Sequence, residues 1–271
     1  MRILLFLTIL IFVTGCHGIS KVLKNPDPNY KLRMAEQYYV KKKYTFAQQL
    51  FEDIMPYFKT GKEFEDIYYK YAYCAYYQED YTNAENLYKT FLEIFPNSAR
   101  SEEIDYMRAY CFYKQSPKSE LDQTNTIKSM GMMQIFINTH PGSTRIKEAS
   151  DIIDICHVKL EKKDYLNAQL YYDIGQFRAA GVAFGSLLNA YPESLKADEY
   201  NFMIIKSNYR FADELSIESK QVERFEQVIT QCTDFLDRYP DSKFAKDVQH
   251  YQTLSHSNIK ILTNEQTKTS T

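Results

Sequence analysis

Tryptophan is absent from this chain, and glycine and proline each occur only eight times in 271 residues. So few turn-formers, beside 24 tyrosines and 17 phenylalanines, describe long helices with much aromatic contact surface. Charge of one sign is lacking too. The formal net charge is −2, so the basic stripe of a nucleic-acid binder is missing and no nucleic-acid partner is expected. No glycine-rich phosphate loop occurs. Of His140, His157, His250 and His256, only His157 has a Glu or Cys at i, i+4, the lone Glu161, and none sits in a zinc-type ligand set, so no metal is expected. Adjacent Cys156 and His157 would point about 100° apart on a helix and cannot pair as nucleophile and base. The acid pairs of "FEDI" at Phe64 and "SEEI" at Ser101 read as residues of helix surfaces or starts, favoured by the helix dipole. No catalytic residue is assigned, and the chain is not expected to be an enzyme.

One apolar run stands out, "ILLFLTILIFV" after Met1 and Arg2. It is too short to span a bilayer and has the charged start, apolar middle and small-residue exit of a secretory signal peptide. Val13-Thr14-Gly15-Cys16 resembles the bacterial lipobox, which implies cleavage before Cys16 and a diacylglyceryl thioether on its sulfur. No other cofactor is expected. Residues 1–15 are read as signal peptide and 16–28 as lipidated cysteine and linker, an extended leash broken by Pro26 and Pro28.

The other cysteines, Cys74, Cys111, Cys156 and Cys232, are even in number, and an exported chain permits disulfides. Each lies in an apolar helical stretch, however, and packed helix axes stand about 8–10 Å apart, too far for easy bridging. Four buried thiols are expected.

Four phrases recur: "FPNS" at Phe95, "HPGS" at His140, "YPES" at Tyr191 and "YPDS" at Tyr239. Each follows one amphipathic run and precedes another, so proline stops a helix and a nearby Ser, Asn or Asp caps the next. Upstream lies tetratricopeptide spacing. The set is Ala168, Tyr171, Ala180, Phe184 and Pro192 in one unit, and Ala72, Tyr81, Ala84, Tyr88 and Pro96 in another. A third offers Ala35, Tyr38, Tyr44, Ala47 and Phe51 without the proline. The expected fold is all-α, a right-handed solenoid of about five tetratricopeptide-like helix pairs with a C-terminal cap helix. Units occupy 29–115, an interruption 116–125, and further units with the cap 126–260, before a disordered polar tail at 261–271. One long helix is expected from about Ser143 to Ile174, and an Asp105–Arg108 ion pair within the third unit.

The lipobox, the five pairs and the phrases "EEIDYMRAYCFYK" and "AQLYYDIGQFRAA" together resemble the BamD family of outer-membrane assembly lipoproteins. The resemblance implies a scaffold on the inner leaflet of the outer membrane, facing the periplasm. It would bind the POTRA region of BamA and other assembly subunits, and receive unfolded β-barrel precursors. Another periplasmic tetratricopeptide lipoprotein, organising cell-envelope or peptidoglycan machinery, is the alternative. First helices of such pairs line a peptide-binding groove. The repeat frame places Arg33, Tyr39, Tyr69, Tyr73, Tyr76, Tyr106, Tyr110 and Tyr113 on that face, a tyrosine stripe suited to extended peptides.

Overall fold

The computed structural model describes residues 17–214 and 218–269; the expected signal peptide and Cys16 lie outside them. Twelve helices and no strand are found among the described residues. They are α1 (His17–Leu23), α2 (Pro28–Val40), α3 (Tyr44–Phe58), α4 (Phe64–Tyr77), α5 (Tyr81–Ile94), α6 (Ser101–Lys114), α7 (Thr124–Thr139), α8 (Ile146–Asp173), α9 (Phe177–Ala190), α10 (Ala197–Asp213), α11 (Glu218–Arg238) and α12 (Ala245–Thr269). The chain divides into two compact units, Met1–His157 and Val158–Thr271, the division falling within α8. Within each unit the helices pack in successive pairs, the all-α tetratricopeptide-like arrangement expected.

The pairing rests on a pattern that all five second helices share. Each buries residues at i, i+4 and i+7: Ala47, Phe51 and Ile54 in α3, and Ala84, Tyr88 and Phe91 in α5. The divergent helices keep the geometry with other residue types, Ser129, Met133 and Phe136 in α7 and Val228, Cys232 and Phe235 in α11. In α9 the set is Ala180, Phe184 and Leu187. Three positions on one helical face suffice to dock each helix on its partner, whose own contact residue is small in four of the five pairs, Ala35, Ala72, Ala109 and Ala168, and is Ile205 in the fifth. Where Ser129 replaces the usual alanine, its hydroxyl reaches the Ala109 carbonyl at 3.4 Å. Gly181 permits a still closer approach, since a Cβ there would lie 2.5 Å from the Asn208 side-chain oxygen.

The recurrent turns contain more than a stop. Ser98, Ser143, Ser194 and Ser242 each accept a backbone N–H two residues on, at 3.0 to 3.2 Å. Each hydroxyl also donates to a carboxylate on an earlier helix, Glu65, Glu102, Glu161 and Asp198 respectively. The serine therefore organises the turn and clasps it to the preceding repeat; contrary to the sequence reading, it does not cap the next helix. The acid pairs, read as dipole partners alone, are the receiving half of this clasp.

Several boundaries differ from the sequence reading. The expected leash is instead helix α1, because Ile19 and Val22 fall on one face and pack beside Ala35, Leu50 and Phe51. Asp27 then caps α2, accepting the Asn29 N–H at 2.9 Å, with Pro28 at the first helical position. The expected disordered tail is helical through Thr269, because no proline or glycine interrupts propagation from the packed Val248 and Tyr251; residues 270–271 lie outside the described residues. The long helix is present as α8 and is closed two residues past Asp173 by Gly175, whose φ of +77° is the left-handed conformation of a helix stop. In the interruption, the Gln123 amide donates to the Lys118 and Leu121 carbonyls at 2.8 and 3.0 Å while its oxygen accepts from Thr126. Arg108 pairs with Glu85 of α5 at 2.8 Å, not with Asp105, which faces His140 at 3.3 Å. Cys74, Cys111, Cys156 and Cys232 are buried thiols.

Candidate functional site

The tyrosine stripe lies wholly in the first unit, on α2, α4 and α6, and forms one run of ring contacts. Tyr39 meets Tyr77 at 6.3 Å between centroids, and Tyr77 meets Tyr73 at 5.7 Å and Tyr76 at 5.5 Å. Tyr76 continues to Tyr110 at 6.4 Å, which contacts Tyr106 at 5.8 Å and Tyr113 at 5.6 Å. Helix periodicity produces this: each ring sits one turn from the next along a helix, while ring contacts bridge neighbouring repeats.

Exposure divides the set. Tyr73 and Tyr106 are buried, at 5% and 1% exposure, and therefore belong to the core, not to an open groove. Tyr73 packs edge-on against Tyr88 at 5.4 Å, and Tyr106 against Phe136 at 5.4 Å, so both fill the seam between a first helix and its own partner. Tyr39, Tyr69, Tyr76, Tyr110 and Tyr113 are half-buried. Arg33 is exposed and lines a shallow depression of ≈ 370 Å³ with Glu36, Gln37, Val40 and Lys41.

Charged groups brace the rings. Glu103 on α6 accepts from the Tyr73 hydroxyl at 2.5 Å and from Tyr69 at 3.1 Å, so one carboxylate ties two tyrosines of the preceding repeat. The second unit repeats the device, Tyr165 donating to Glu199 at 3.1 Å. Arg100 lies 4.2 Å above the Tyr69 ring and Arg145 4.7 Å above Tyr106. Both arginines sit two residues past a turn serine, so the "SAR" and "STR" triplets encode a clasp and a cation–π cover together. Burial pushes the Tyr76 phenol up to about 12 and, with the nearby Tyr88 and Glu103, raises Tyr73 further. Of the stripe phenols, Tyr69 and Tyr73 act as hydrogen-bond donors, both to Glu103.

Sequence reasoning missed Tyr77, Arg100 and Glu103. Tyr77, 45% exposed, stacks on Tyr44 at 4.5 Å and links the first and second repeats. Its signal was the doubled "YY" at the end of α4, and that of Glu103 its spacing from Tyr69, close to one repeat. Among the described residues, no cluster of three His, Cys, Asp or Glu is placed to hold a metal ion, and no helix is long and apolar enough to cross a membrane.

What these features define is a helical-repeat protein whose first-unit face combines half-exposed aromatic rings with fixed polar groups. The chain belongs to the YfiO family, whose model, described as an outer membrane lipoprotein, matches residues 26–193 and again 167–254. This is the BamD family that the sequence resembles. No curated protein matches the chain.

Proposed function

We propose that this protein is a lipid-anchored, periplasm-facing scaffold of the outer-membrane β-barrel assembly machinery. It is held by acyl chains on Cys16, joins BamA through its POTRA region, and receives unfolded barrel precursors. Membership of an outer membrane lipoprotein family over most of the chain carries the reading. The half-buried rings of Tyr69, Tyr76, Tyr110 and Tyr113 support it. A tyrosine that presents part of its ring and a polar tip can hold an extended segment without requiring one sequence. No residue is assigned a catalytic role. The test is purification of the lipidated protein from detergent-solubilised outer membrane. BamA recovered in near-stoichiometric amount is the expected result; its consistent absence, with peptidoglycan-synthesis proteins recovered instead, would overturn the assignment.

A further inference from the structure

We propose that the α1 end of this protein is seated directly on the membrane surface, with the outer face of α1 against phosphate-bearing lipid headgroups. The inference rests on lipidation of Cys16 and goes beyond it, because an anchor alone leaves the position of the folded body open.

An extended segment from Cys16 to Pro28 would let the first repeat wander about 40 Å from its acyl chains. The structure replaces that segment with α1, which begins at His17, the residue after Cys16, and rises only about 10 Å over its length. Helix α1 is also not loose. Ile19 and Val22 are buried, at 7% and 5% exposure, in the cluster containing Ala35, Leu50, Phe51 and Ile54. Contacts reach both α2 and α3, so the first helix pair holds α1 as a fixed part of the fold. Acyl chains attached one residue before a docked helix have no slack to give.

The face left outward has the matching charge. Lys21 and Lys24 are exposed, and no acidic residue occurs between Cys16 and Asp27. Lysines held within a Debye length of a bilayer are attracted to anionic headgroups, and neither α1, which carries Lys21, nor the Lys24 just past it has a carboxylate in the segment to offset that. Covalent tether, docked helix and basic face thus point to one occupant, the lipid surface.

The test uses the mature, lipidated full chain in vesicles of phosphatidylcholine and phosphatidylglycerol carrying a headgroup quencher. A fluorophore goes on Lys59→Cys, an exposed site beside Phe58, which packs against the cluster that receives Ile19 and Val22. The four native thiols of the described residues are buried and do not compete. Quenching is expected to fall at least twofold when Ile19→Asp undocks α1, and again when ten Gly/Ser residues are inserted between Cys16 and His17. Circular dichroism checks that both variants stay helical, and the insertion leaves the core untouched if Ile19→Asp does not. Unchanged quenching in the insertion variant, with the protein still floating with vesicles, overturns the seated arrangement. Failure of the unaltered mature chain to float overturns the lipid anchor itself, a separate outcome.

Discussion

Glu103 shows how one side chain can decide whether an aromatic surface is a binding face or a core. By accepting from Tyr69 and Tyr73 it fixes two rings of one repeat against the next. Glu103→Ala leaves the buried Tyr73 hydroxyl without its acceptor and should cost about 1–3 kcal/mol. Tyr73→Phe in that background should recover part of the loss, which a double-mutant cycle by urea unfolding measures; additive losses would show that the pair is uncoupled. A second residue-scale effect is electrostatic. Asp66 is partly buried, which raises its pKa, but hydrogen bonds and attraction from Lys70 and Arg100 outweigh burial and hold it below the ordinary carboxylate value. The unfolded chain therefore binds this proton more readily than the folded one. The contribution is complete above about pH 4 and is lost as pH falls through the lowered folded value. Because the pair is partly exposed, its worth should be about 1 kcal/mol or less. Asp66→Asn should flatten the acid limb of a stability–pH profile, and an unchanged limb would assign acid sensitivity elsewhere. The thiols make a third case: burial pushes Cys74, Cys111 and Cys232 up to about 12. A disulfide reagent at pH 8 should leave them unmodified until denaturant opens the fold.

At the scale of the element, legibility followed how directly each feature depends on local pattern. Ala72, Ala84 and Tyr88 could be assigned from spacing because close helix approach tolerates few residue types. The counterparts of Ala84 and Tyr88 in the third unit, Ser129 and Met133, could not, since a tetratricopeptide position is defined by size and burial more than by identity. Long helix α8 was evident from an unbroken period without proline or glycine. Helix α1 was hidden because "HGISKVL" is short and is helical chiefly through the tertiary burial of Ile19 and Val22, which no local propensity announces. The site was partly readable: which tyrosines share a face follows from helical period, but Tyr73 and Tyr106 are buried by partners at Tyr88, Phe136 and Glu103, distant in sequence. The turn serines were seen, their carboxylate partners were not, because each lies at least 33 residues away. That clasp is testable as an element property. Ser98→Ala removes the bond to Glu65 and the Arg100 N–H acceptor together, and should lower stability by about 1–2 kcal/mol. Hydrogen exchange should speed most in the turn between α5 and α6, and uniform acceleration throughout the unit would point to a global core role for the serine.

For the whole molecule, the proposed precursor binding uses the same aromatic surface that packs the first unit, so folding and binding must be separated by experiment. If Tyr73 and Tyr106 serve the core, Tyr73→Ala and Tyr106→Ala should each cost about 3–5 kcal/mol of stability, the range for large aromatic truncations. Whatever fraction remains folded should bind a C-terminal barrel peptide with unchanged affinity. Tyr76 and Tyr110 are half-buried and touch each other across repeats. Tyr76→Ala or Tyr110→Ala should therefore cost less stability but remove ring area that a docked strand would cover. Loss of an aromatic pairing is worth about 0.5–1.5 kcal/mol, so affinity should fall roughly twofold to tenfold for each. Tyr113→Ala, at the end of the ring run, tests whether the face extends past α6 midway. Thermal unfolding and peptide titration on the same five variants give two independent readouts. The scaffold reading requires them to diverge: Tyr73 and Tyr106 in melting temperature, Tyr76, Tyr110 and Tyr113 in affinity. Were all five to lose only stability, the stripe would be an inter-repeat strut throughout, and precursor binding would have to be sought on another face of the protein.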